Sequence, residues 1–114
     1  MANTFKVDTK ANLLTDAVSS ATTNIVTVGS TATVILLSVL VSNTTSTSAN
    51  VDIYLVTNTG DDVYLVRNAP IPAGGSLELI SGSKVIMESQ DVLRARSSAG
   101  TALDISVSYL EQTP

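Results

Sequence analysis

The sequence predicts an all-β protein, a single antiparallel β-sandwich of about eight strands behind an extended N-terminal arm. Three observations carry this. Apolar and β-branched residues come in short runs, separated by turn residues every eight to twelve positions or so. Helical spacing is confined to one short stretch, Leu13, Leu14, Ala17 and Val18. At 114 residues the chain is the size of one ordinary domain with one core. The pattern fits a jelly-roll or an Ig-like sandwich equally.

In chain order, residues 1–21 lack strand rhythm but contain Phe5, Val7, Leu13 and Leu14. That is too apolar for a solvated tail and suits an arm packed on its own domain or exchanged with a neighbour. The sandwich occupies 22–114, with strands expected over 24–28, 33–42, 51–57, 62–67, 76–80, 84–88, 92–97 and 103–109. The clearest is 51–57, where Val51, Ile53 and Leu55 point one way and Asp52, Tyr54 and Val56 the other. The strand at 103–109 repeats this with a more polar outer face. Asn58-Thr59-Gly60, residues 70–75, Ser81-Gly82-Ser83, Ser89-Gln90 and Ala99-Gly100 separate the strands, since Gly reaches positive φ freely and Pro gives no ladder donor.

The run Val34-Ile35-Leu36-Leu37-Ser38-Val39-Leu40-Val41 is apolar on both faces, so both need cover. Two arrangements provide it: a central strand with the core beneath and the N-terminal segment above, or a face closed by another subunit. Phe5, Leu13, Leu14, Val39 and Val41 are therefore candidate interface residues, and a homo-oligomer, trimer or dimer, is expected.

Composition narrows function. With no His and no Cys, the usual neutral-pH base, thiol nucleophile and most transition-metal ligand sets are missing. Asp61-Asp62 is the only adjacent pair of carboxylates, and neighbours on a strand face opposite ways; the pair reads as a hairpin tip, not a calcium site. The reading is therefore of a non-enzyme without cofactor or metal. Six basic residues are scattered through a chain of net charge −4, so no patch suited to nucleic acid is formed. The longest apolar stretch is far short of the ~20 residues a membrane helix needs, and no secretory signal is evident, so a protein soluble in the cytoplasm where it is made is expected. Asn43-Thr44-Thr45 matches a glycosylation sequon by pattern alone, and Gly74-Gly75 precedes a strand, not a phosphate-binding helix. Ser and Thr make up about a quarter of the chain while charged residues supply only 14%. This composition fits either outer strand faces or surface buried in an assembly, because interface cores are depleted of charge.

Two pairs stand out as contact candidates. Arg94 and Arg96 alternate with Leu93, Ala95 and Ser97, so both guanidinium groups emerge on one strand face. They could be solvated, matched to Asp104 or Glu111 on a neighbouring strand, or set against an acidic partner. Closing the hairpin with Asn58-Thr59-Gly60 pairs Thr57 with Asp61, puts Gly60 at positive φ, and opposes Leu55 to Val63 and Ile53 to Leu65. It also sets Tyr54 against Tyr64, an aromatic patch to be covered by the arm or by a partner.

The stretches Val51-Asp52-Ile53-Tyr54, Tyr64-Leu65-Val66-Arg67-Asn68-Ala69-Pro70-Ile71-Pro72-Ala73-Gly74-Gly75-Ser76-Leu77-Glu78-Leu79, Lys84-Val85-Ile86-Met87-Glu88, Asp91-Val92-Leu93-Arg94-Ala95 and Val107-Ser108-Tyr109-Leu110-Glu111 resemble small virion structural proteins of tailed bacteriophages, especially those of cyanobacteria. The resemblance spans about residues 22–111. It implies a capsid decoration or cement protein, bound to the major capsid protein or another virion protein, on the outer capsid surface. The alternative is a neck, tail or fibre module, glycan- or host-binding, although the loop tips here are Ser, Thr, Gly and Ala rather than aromatic or charged.

Overall fold

The computed structural model describes residues 2–10, 23–80, 84–97 and 103–114. Among them, all regular structure is strand: β1 (Ala2–Lys10), β2 (Thr23–Thr27), β3 (Thr33–Asn43), β4 (Ala49–Val56), β5 (Asp62–Ile71), β6 (Ser76–Glu78), β7 (Val85–Met87), β8 (Val92–Ser97) and β9 (Leu103–Thr113). Among the described residues every strand pairing is antiparallel. One sheet runs β1-β9-β3-β6, with β7 also on β3, and the other runs β2-β8-β4-β5. Among the described strands only β4 and β5 are hydrogen-bonded neighbours that are also consecutive in sequence; the other connections cross between the sheets, except β6 to β7, which line one edge of β3. That winding is a jelly roll, not an Ig-like sandwich.

Alternation builds the core. Val51, Ile53 and Leu55 of β4 meet Leu93 and Ala95 of β8, and across the gap lie Leu103, Ile105, Val107 and Tyr109 of β9. The two-faced run in β3 is resolved by a bulge: its pairing to β9 slips between Leu36 and Ser38. The extra residue, Leu37, shifts the alternation, so Val34 and Leu36 before it and Val39 and Val41 after it all face the core. A regular strand would have sent one of those pairs outward.

Several expectations are corrected. Val39 and Val41 are fully buried in the chain's own core and are not available as interface residues. Of the N-terminal segment, residues 2–10 form an edge strand beside β9 and do not lie over β3. The strand at 62–67 continues to Ile71, carrying Pro70 opposite Asn50, which an edge strand tolerates because no further strand needs the missing N–H. Leu13 and Leu14 lie outside the described residues.

Candidate interaction surfaces

The outer face of the β2-β8-β4-β5 sheet gathers the expected tyrosines and arginines into one cluster. Pairing places Arg94 opposite Tyr54, and Tyr54 opposite Tyr64, while Arg96 faces Asp52. The rings of Tyr54 and Tyr64 lie 4.9 Å apart, tilted by 31°. The Arg96 guanidinium sits 5.6 Å from the Tyr54 ring centre, and Arg67 sits 5.0 Å from that of Tyr64, both within cation–π reach. Arg96 Nε also donates to Asp52 at 2.8 Å, and Arg96 Nη2 donates to the Tyr64 hydroxyl at 3.0 Å. Packed this way, Tyr54 is only 3% exposed although it points away from the core. The cover expected of an arm or partner is supplied in large part by its own neighbours.

Charge on this face is uneven. Asp52 neutralises Arg96, and its other oxygen accepts the Asn68 N–H at 2.7 Å. Arg94 donates to the neutral amide oxygen of Asn24 at 2.7 Å, and Arg67 rests on a ring. Neither Arg67 nor Arg94 has a salt-bridge partner among the described residues. All three arginines of a chain with net charge −4 thus stand on one face, two without a countercharge. Asp104 and Glu111 belong to the other sheet, so they do not match Arg94 or Arg96.

The hairpin that positions the tyrosines closes as the spacing predicts. Thr57 N–H donates to Asp61 O at 2.9 Å, Gly60 N–H donates to Thr57 O at 2.8 Å, and Gly60 has φ 94°. Tyr54 meets Tyr64 and Leu55 meets Val63, but Ile53 meets Val66, not Leu65. A bulge at Leu65 inserts one residue, and further along Arg67 and Asn68 share the space opposite Asp52; Asn68 takes φ 54° there.

The other sheet carries a different outer surface. Ile86 pairs with Ile35, Ile35 with Leu110, and Leu110 with Phe5, so four apolar side chains form one row across β7, β3, β9 and β1. Phe5 is 77% exposed and Ile86 62%. On the opposite side of β1, Lys6 forms a 2.8 Å ion pair with Glu111. Asp8 accepts the Tyr109 hydroxyl at 2.9 Å. Burial, with the Asp8 carboxylate beside it, pushes the Tyr109 phenol up to about 12.

Two buried polar residues escaped sequence reasoning. Asp91 accepts from the Glu88 N–H (2.9 Å) and the Asn58 N–H (3.1 Å), and its backbone carbonyl accepts from Val28 N–H. It thereby staples three loops at one end of the sandwich. Asn43 donates to Thr47 O and Ile71 O and accepts from the Thr45 N–H and hydroxyl. Asn43 of the sequon-like triplet is thus a buried loop lock, with its amide nitrogen already engaged. Among the described residues no group of three or more acidic side chains gathers as a metal site, and no helix is long and apolar enough to cross a membrane.

No protein-family model and no curated protein matches the sequence. Solved structures do share the fold. A chain from the disulfide-linked pili of Bacillus endospore appendages superposes with a TM-score of 0.53 at 15% identity, covering 99% of this chain and 91% of that one. A chain from the capsid structure of Helicobacter pylori bacteriophage KHP30 gives 0.52 at 11%, covering 97% and 87%. A chain of infectious bursal disease virus, Gx strain, gives 0.53 at 14%, covering 97% of this chain but only 33% of its own length. At these identities the likeness is one of fold: this chain is a two-sheet sandwich of the kind found in those assemblies.

Proposed function

We propose that the chain is a structural component of a tailed-phage virion, a decoration or cement protein that stabilises the shell by binding the major capsid protein from outside. The observation that carries this reading is the Tyr-Arg face. It is braced by its own hydrogen bonds and holds two guanidinium groups without a countercharge among the described residues. Arginine and tyrosine are enriched where proteins bind proteins, and stiff rings give contact area with little loss of side-chain freedom. The partner surface that fits is acidic. Jelly rolls recur in capsid domains, and the fold likeness to a phage capsid chain agrees with that setting.

A shell protein needs no chemistry. Many copies, each weakly bound, raise the barrier to shell opening. The test uses particles of the encoding phage produced without this chain. Adding the purified protein back should decorate the outer shell and raise the temperature at which the genome is released. Particles that neither bind it nor gain heat resistance contradict the reading, and density on the neck, tail or fibres favours the alternative module.

A further inference from the structure

We infer that the free edge of β1 pairs with β1 of a second copy, antiparallel about a two-fold axis, joining the two β1-containing sheets into one. This goes beyond the virion reading and does not depend on it.

The sandwich treats its strand edges unequally. An unpaired strand edge invites foreign strands, and proteins blunt such edges with short strands, bulges, proline or inward-pointing charges. Here β6 and β7 are three residues each. The β2 edge carries a bulge between Asn24 and Val26. The β5 edge carries Pro70 and two register slips. Only β1 relies on inward-pointing charges alone, Lys6 and Asp8, each already matched within the chain by Glu111 and Tyr109. It is nine residues long, contains no proline, and pairs with β9 from Ala2 to Lys10 without a slip. One side is therefore a straight ladder, and no described residue is paired to the other.

The side chains then select the occupant. With the axis normal to the sheet, outward residues meet outward residues. Centring it on Val7 puts Val7 opposite Val7 of the second copy, Phe5 opposite Thr9, and Lys6 opposite Asp8. The last pairing occurs twice, and it extends the Lys6–Glu111 ion pair and the Asp8–Tyr109 hydrogen bond of each copy into one network across the seam. The register centred on Lys6 opposes two like charges instead, which is unfavourable in cross-strand pairs. The Val7-centred register also brings Phe5, 77% exposed in one copy, diagonally against Val7 of the other. Self-pairing thus matches charge and shields exposed apolar surface together.

The chain has no cysteine, so single cysteines report directly. In the Val7-centred register two Val7→Cys side chains face each other with Cβ atoms about 4.5–5.5 Å apart, within reach of a disulfide. Full-length Val7→Cys should be disulfide-linked on mild oxidation at least about tenfold faster than Ile86→Cys, an exposed position remote from β1 whose rate reports random collision. In sedimentation the unmodified protein should form a dimer at tens of micromolar, and Val7→Lys should shift it to monomer with an unchanged circular dichroism spectrum. A monomer throughout, or equal cross-linking at the two positions, overturns the proposal. So does faster cross-linking at Ile86, which would assign self-association to the apolar outer face. None of these results bears on whether the Tyr-Arg face binds a shell.

Discussion

Tyr109 is buried on the core face of β9 yet reaches Asp8 on the edge strand, so one phenol couples the interior to the attachment of β1. The fold favours its neutral form: burial first, then the Asp8 hydrogen bond and charge, hold its pKa at about 12 against an ordinary 10.0. A raised folded pKa means that the stabilisation is complete below pH 10 and lost as pH climbs towards 12. The melting temperature should therefore fall across that window more steeply in the unmodified protein than in Tyr109→Phe, which has no proton to lose. Parallel pH profiles for the two would show that Tyr109 is not coupled to stability. Asp91 and Asn43 act at the same scale. Each ties backbone groups of loops far apart in sequence, and such partnerships leave no mark in local spacing.

At the level of strands, alternation was a reliable guide wherever one face is core and the other is not, as in β4, β8 and β9. It misled where a bulge adds a residue. Leu37 and Leu65 look like ordinary members of their runs, and only the cross-strand partner shows which residue is extra. The strand β1 was missed for another reason. Its inward side carries Lys6 and Asp8, satisfied by Glu111 and Tyr109, while Phe5 and Val7 point outward, so its pattern is inverted relative to a core strand. The tyrosine pair was legible because the Gly60 turn fixes the register, but the split in burial between the two rings was not. Tyr54 is enclosed by its neighbours and Tyr64 is half-buried. Replacing Tyr54 by Ser should cost about 3 kcal/mol or more, as for other buried aromatics, and Tyr64→Ser only about 1 kcal/mol. Denaturant titration of the two variants checks this, and equal losses would mean that the rings act as one buried unit.

Taken whole, the molecule divides its tasks between two outer faces and one edge. The core and the loop locks hold the sandwich together, the Tyr-Arg face offers positive charge on an otherwise acidic chain, and β1 presents a straight ladder that no described residue pairs on its outer edge. Jelly-roll winding could be narrowed to one of two sandwich types from strand count, but choosing between them required the pairing order, which depends on contacts between residues distant in the chain. Chains from a phage capsid and from endospore pili share the two-sheet sandwich fold. In the proposed shell-binding role, the charge on that one face makes the contact. Contacts made by exposed arginines weaken as salt screens them, so binding should be strongest at low ionic strength. The most direct measurement is co-sedimentation of the purified chain with particles that lack it, comparing the unmodified protein with an Arg67→Glu/Arg94→Glu variant at two salt concentrations. The account predicts saturable binding that salt weakens and a loss of at least about tenfold in affinity for the variant, corresponding to about 1.4 kcal/mol; equal binding by the two proteins would contradict it.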